Sequence, residues 1–209
     1  MIGTITFLRR MYRNNKNIRI IFEGHYLTMK SSLVQHFSSR YNIPYLSGEW
    51  LISDYFGANS HIPNLIVPGK LSSGRVHDAY HVIIDMLGLF PYQPFLIDRF
   101  HISLQFYDQI LKTNYYAPFI EDRLLEMNTV VVFCLNQFDN YDELLASRLQ
   151  NNLDKKNIYP TTLDAYLHEE HIFKDIIDKS KLPIIELQVN KKDLATLETE
   201  IIEELNKLT

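Results

Sequence analysis

Apolar and polar positions along this chain fall into two kinds of block. Short runs are apolar at nearly every residue and rich in β-branched side chains, which is strand-like. Longer stretches repeat an apolar residue every third or fourth position, which is helical. Ile18-Arg19-Ile20-Ile21-Phe22 is the first short run and stops at Glu23-Gly24. Lys30-Ser31-Ser32 opens the first helical stretch, with Leu33, Val34 and Phe37 on one face and an end near Tyr41. Asn42 to Ser47 reads as a short strand, because Pro44 is excluded from a helix interior but tolerated at a strand's start or edge. Tyr55 to Ser73, rich in Gly, Asn, Pro and Ser, reads as a long loop. Arg75 to Leu87 is helical, with Val76, Tyr80, Ile83, Ile84 and Leu87 on its apolar face. Phe95-Leu96-Ile97 is a strand ending at Asp98-Arg99, and helices follow at Ile102 to Leu111 and Pro118 to Met127.

Thr129 to Leu135 is apolar on both faces, as suits a parallel strand covered by helices above and below. Asp142 to Leu149 predicts a helix, and Thr162 to Ser180 a longer one capped by Thr161 or Thr162 behind Pro160. Leu182 to Val189 is the last strand and Asp193 to Leu208 the last helix, with Leu194, Leu197, Ile201, Ile202 and Leu205 facing inward. Strands near residues 18–22, 43–47, 95–97, 129–135 and 183–189 thus alternate with helices. That pattern predicts an α/β fold of three layers, α/β/α, around a five-stranded parallel sheet. A chain of 209 residues accommodates it as a single domain, with residues 1–17 as an N-terminal extension. Ligands of such sheets bind beyond the strands' carboxyl ends. Gly24, Glu49, Asp98 and Asn136 each stand just past one, so they are expected to converge on one cleft.

Composition narrows the reading. Only seven glycines and eight prolines argue against long disordered segments, and a net charge of −4 argues against a duplex nucleic-acid partner. Arg9, Arg10 and Arg13 follow a brief apolar segment without a signal-peptide core, and no apolar run is long enough to span a bilayer. Cys134 stands alone, which excludes a disulfide framework or a cysteine metal site. A soluble, cytoplasmic protein is expected. His77 with His81 and His168 with His171 have ligand spacing on helices but no third ligand.

The strand, turn and Lys-Ser helix start match the layout of a phosphate-binding loop. Free N–H groups at the start of the helix and its dipole favour an anion there. The pattern G-x-x-x-x-G-K-[ST] is met at Gly24, Lys30 and Ser31, with Met29 in place of the second glycine. Gly24, His25, Met29, Lys30, Ser31 and Ser32 are therefore the candidate cofactor-binding set, with Ser31 a hydroxyl suited to Mg²⁺. His25 to Met29 contain no glycine; wherever the turn needs positive φ, a bulky residue costs about 1 kcal/mol.

Asp98-Arg99-Phe100-His101-Ile102-Ser103-Leu104-Gln105-Phe106-Tyr107 resembles the D-R-x-x-x-S-x-x-A-Y segment of the thymidylate kinase and deoxynucleoside kinase family of P-loop kinases. Asp, Arg, Ser and Tyr are in register, and Phe106 replaces the usual Ala. Glu143 to Leu149 resembles the family's helix ending in Arg-Leu, leading to a lid at about 149–161 that carries Lys155 and Lys156. The resemblance implies ATP and Mg²⁺ as cofactors and a nucleoside or nucleotide acceptor. It gives catalytic roles to Lys30, Glu49, Asp98, Arg99 and Arg148, and acceptor contacts to Glu49, Trp50, Arg99, Ser103 and Tyr107. Ser31 and Asp98 would hold the metal, and family members form homodimers through helices beside the acceptor site. The implied activity is transfer of the γ-phosphate of ATP to a deoxynucleoside monophosphate or related nucleoside. The alternative is a catalytically impaired nucleotide-binding or scaffold protein that keeps the kinase fold, which the glycine-poor turn favours.

Overall fold

The computed structural model describes residues 18–48, 73–91, 93–112, 114, 116–138, 141–150, 160–190 and 192–208, without the side chains of 73–75, 111 and 147–150. Five strands form one parallel sheet: β1 (Arg19–Glu23), β2 (Tyr45–Ser47), β3 (Phe95–Asp98), β4 (Thr129–Leu135) and β5 (Ile184–Gln188). Their spatial order is β2-β3-β1-β4-β5. Register places Phe22 beside Asp98 on one side and beside Val132 on the other. Burial explains the order. Every residue of β1 and β4 is buried, as central strands covered on both faces require, whereas β5 alternates and β2 is partly exposed, as edges allow.

The helices are α1 (Lys30–Tyr41), α2 (Ser73–Gly88), α3 (His101–Leu111), α4 (Phe119–Glu126), α5 (Tyr141–Gln150), α6 (Leu163–Ile177) and α7 (Leu194–Leu208). They pack in two layers. Ile21, Ile97, Val131 and Phe133 meet Val76, Tyr80, Ile83, Ile84 and Leu87 of α2, with residues from α3, α4 and α6. Ile20, Phe22, Leu96, Val130 and Val132 face the other way, onto Leu33, Val34 and Phe37 of α1 and Leu197, Ile201 and Leu205 of α7. The apolar faces predicted for α1, α2 and α7 are the faces buried.

Several boundaries move: α2 begins at Ser73, expected in the loop, and β5 at Ile184 rather than Leu182. The helix predicted to Ser180 ends at Ile177, and the Ser180 hydroxyl turns back to the buried Glu121 carboxylate. β2 begins only at Tyr45; Pro44 has no N–H for the ladder, although its carbonyl accepts from the Leu96 N–H at 3.1 Å. Of the two proposed caps for α6, Thr162 is the one used, its hydroxyl accepting from the Ala165 N–H at 3.2 Å. The 1–17 extension, the loop from Tyr55 to 72 and most of the lid at 149–161 lie outside the described residues. Among the described residues, no helix is long and apolar enough to cross a membrane.

Candidate active site

The turn between β1 and α1 stands at the carboxyl ends of the central strands. Gly24 has φ of 135°, and a Cβ there would lie 2.3 Å from the Cys134 carbonyl oxygen, so both conformation and space demand glycine. Leu27 and Met29 also take positive φ, 63° and 57°. Met29 occupies the position of the motif's second glycine. Its left-handed backbone shows why glycine is the usual choice, and its partly buried side chain packs against the Ile20–Phe22–Leu33 layer. Met29 is also the N-cap of α1. With no bond from the N-cap side chain and no acidic residue in its first turn, the start of α1 has the electrostatic setting of an anion site.

Lys30 is buried, and its ammonium donates to Thr28 Oγ1 at 2.9 Å and to the His25 carbonyl oxygen. Thr28 Oγ1 in turn donates to the same carbonyl at 2.8 Å. Ser31 is exposed at the start of the helix and Ser32 partly buried behind it. The His25 side chain is buried among aromatic rings of the turn, α3 and α6. Its ring is packed edge-on against Tyr26, Phe106, Tyr166 and Phe173, and Nε2 lies 2.6 Å from Glu169 Oε2 on α6. Burial lowers its pKa to about 4 despite the bond and charge of Glu169, with the Lys30 and Arg99 charges adding to the effect. The imidazole is neutral near pH 7, donating from Nε2; Nδ1 is buried without a hydrogen-bond partner.

β3 delivers the second component. Asp98 ends the strand, and its Oδ1 is buried without a hydrogen-bond partner. A carboxylate oxygen so placed suits a metal ion or a hydroxyl proton. Arg99 follows at φ of 60°, with its N–H on the Phe22 carbonyl at 3.0 Å and its guanidinium carbon 5.1 Å from the centre of the Tyr26 ring. Tyr107 reaches the same tyrosine, hydroxyl to hydroxyl at 3.3 Å. Arg99, Tyr107 and the turn thus meet at Tyr26, a residue the motif reading passed over. Gly48 fits this corner because a Cβ would lie 2.2 Å from the Arg99 carbonyl oxygen.

Glu23 is the other residue the motif reading missed. Fully buried, it accepts from the N–H groups of Phe100, Ile102 and Ser103 at 2.7, 3.2 and 3.3 Å, and from Ser103 Oγ at 2.5 Å. It caps α3 from a different strand, where the helix has neither a side-chain N-cap nor an acidic residue of its own in the first turn. Ser103, expected at the acceptor, is turned to Glu23. The sequence signal was a single charge closing an apolar strand just before Gly24.

Glu49 and Trp50 lie outside the described residues, as does the side chain of Arg148, whose backbone is in α5. Among the described residues, no group of three or more His, Cys, Asp or Glu side chains could hold a metal ion; His81 stacks on Phe119 at 3.7 Å. Burial pushes the Cys134 thiol up to about 12, leaving it inert in the core.

No protein-family model matches the sequence, and no curated protein does. Solved structures match the fold. The YorR protein of Bacillus subtilis, crystallised in complex with phosphorylated GDP, has a TM-score of 0.57 at 17% identity, over 91% of this chain and 94% of that one. Shikimate kinase of Acinetobacter baumannii, in complex with shikimate, has a TM-score of 0.55 at 12% identity, over 96% and 98%. The shikimate kinase of Aquifex aeolicus gives 0.53 at 16%, over 90% and 96%. At such identities the likeness is one of fold: the chain has the P-loop kinase fold, and the narrower likeness to thymidylate kinases rests on the sequence motifs alone.

Proposed function

We propose that the protein is an ATP-dependent phosphotransferase that passes the γ-phosphate to a deoxynucleoside monophosphate or related nucleoside. The observation that carries this reading is the meeting of three features at the ends of β1 and β3. They are the N-terminus of α1 with no bond from its N-cap side chain, the Lys30 ammonium inside the turn, and the unpartnered carboxylate oxygen of Asp98. Donors for an anion and an oxygen for a metal stand together there, as phosphoryl transfer requires. Kinases of the same fold, and a neighbour holding phosphorylated GDP, support the reaction class.

Ser31 and Asp98 fit Mg²⁺, one an exposed hydroxyl and the other a carboxylate oxygen with no competing donor. Bound with the nucleotide, that ion would neutralise charge between phosphate oxygens. The amides of the turn and the start of α1 bind the phosphates, and Lys30 adds a fixed positive charge. Arg99 borders the acceptor side; to fork onto a phosphate its guanidinium would leave the Tyr26 ring. Glu49 as base and Arg148 as the lid-side cation complete the proposal from the sequence. The nucleotide-binding protein without turnover is the second reading, favoured by the Lys30 bonds to Thr28 and His25 within its own turn.

An acceptor screen with Mg·ATP, scored by ADP release over nucleosides and monophosphates, separates the two. Turnover with one acceptor class, reduced about 100-fold or more in Lys30→Ala, is expected. Stabilisation by ATP without turnover on any acceptor selects the second reading, and no stabilisation by ATP or ADP removes both.

A further inference from the structure

We propose that Tyr166, Asn136 and the His25–Glu169 pair are positioning residues that hold the phosphate loop in its anion-binding shape, replacing the glycines the loop lacks. The inference rests on the phosphate-loop reading of residues 24–31. Three consecutive loop carbonyls each face a side-chain donor. The His25 carbonyl accepts from Thr28 Oγ1 at 2.8 Å, the Tyr26 carbonyl from the Tyr166 hydroxyl at 3.2 Å, and the Leu27 carbonyl from Asn136 Nδ2 at 3.1 Å.

In a trans peptide unit the carbonyl points opposite to the N–H of the next residue. The carbonyls fixed onto Tyr166 and Asn136 therefore turn the N–H groups of Leu27 and Thr28 away from those donors, whereas the His25 carbonyl is held within the turn by Thr28 Oγ1 and the Lys30 ammonium. A run of amides turned one way is a concavity for an anion. Glycine loops reach such a run because their backbone adopts positive φ without strain. Here Leu27 and Met29 hold positive φ with full side chains. What offsets that strain is the set of bonds on the carbonyls, together with the His25 ring.

The ring is a root. Nine-tenths and more of it is buried in the α6 layer, 4.4 Å from the Tyr166 ring and 5.7 Å from that of Phe173, and Nε2 is tied to Glu169 at 2.6 Å. Tyr166 is itself fully buried, and its hydroxyl lies 3.4 Å from Glu170. α6 therefore grips the loop at two successive residues, His25 by its side chain and Tyr26 by its backbone, while the segment after β4 grips Leu27.

The test uses the full chain with Tyr166→Phe, Asn136→Ala, Glu169→Ala and the conservative Glu169→Gln. Tyr166→Phe removes one oxygen and keeps the ring packing, so it is the variant expected to fold in every case. Amide hydrogen exchange of the 22–31 segment, without ligand, is the first measurement. Exchange about fivefold faster is expected in Tyr166→Phe, Asn136→Ala and Glu169→Ala, the size of one lost hydrogen bond, with β5 and α7 unchanged and Glu169→Gln close to the parent. Affinity for inorganic tripolyphosphate and for Mg·ATP is the second, and a loss of similar size is expected with the same rescue. Unchanged loop exchange in Tyr166→Phe and Glu169→Ala overturns the proposal whatever the nucleotide result. Loosened loops that bind tripolyphosphate as tightly as the parent also overturn it, since positioning would then not serve the anion. A loosened loop in a protein whose parent binds neither probe supports the grip and removes the phosphotransferase reading instead.

Discussion

Glu23 shows how much a single residue can organise without touching a substrate. Its carboxylate is closed off from water and saturated by three N–H groups and one hydroxyl, so removing its charge leaves those donors without an equal partner. Glu23→Gln is expected to lose about 2–3 kcal/mol in urea unfolding and Ser103→Ala about 1 kcal/mol, because hydrogen bonds to a charged acceptor are the stronger kind. The sequence shows the charge at the end of the strand but not a partner 77 residues away. His25 carries a second residue-scale prediction. Its pKa falls from 6.5 to about 4, burial being the largest cause, while Glu169 raises it and Lys30 and Arg99 lower it. Between those values the unfolded chain holds a proton that the folded chain does not. Stability is therefore lost as pH falls through that window, by up to about 3 kcal/mol. Denaturant unfolding at pH 7, 6 and 5 should show a steeper loss in the parent than in His25→Gln; equal slopes would mean that the imidazole is not buried neutral.

At the scale of an element, the loop and α1 were the most legible part of the chain and the most misleading. Gly24, Lys30 and Ser31 located the turn, and the helix starts at Lys30 as the apolar spacing of Leu33, Val34 and Phe37 requires. What the motif could not convey is that Met29 adopts the left-handed backbone and buries part of its side chain, or that His25 packs into α6. Those contacts join segments that no periodicity links. Two substitutions follow. Gly24→Ala, with a Cβ 2.3 Å from the Cys134 carbonyl and φ of 135°, should lose about 2 kcal/mol or more. Met29→Gly releases the strain of positive φ but gives up packing and adds freedom to the unfolded chain, so its net change should stay within about 1 kcal/mol. Urea midpoints of the two variants measured together test the contrast; a Met29→Gly loss as large as that of Gly24→Ala would show that the methionine side chain, not the backbone, is what the site needs.

At the scale of the molecule, the alternation of strands and helices was written in the sequence, whereas the strand order β2-β3-β1-β4-β5 was not. The hydrophobic run of β4 identifies it as doubly covered, but which strand lies between which is set by pairing across as many as 110 residues, as between Arg19 and Thr129. The same order leaves Gly24, Asp98 and Asn136 at neighbouring strand ends, so the expected convergence of those three follows from topology. The loop is also wired to the rest of the fold. On α1, Arg40 lies 2.9 Å and His36 2.6 Å from the Glu198 carboxylate of α7, and Tyr41 donates to it as well. An anion held by the start of α1 therefore acts on a helix that is anchored at its other end, and its binding energy should appear as global stability. At a hundredfold excess over its dissociation constant, Mg·ATP should add about 2.7 kcal/mol, a rise in melting temperature of about 5–10 °C for a chain of this size. Lys30→Ala should abolish the rise while melting as a single transition without ligand. A rise that survives Lys30→Ala would place the nucleotide somewhere other than this loop, and would remove the lysine from the proposed chemistry.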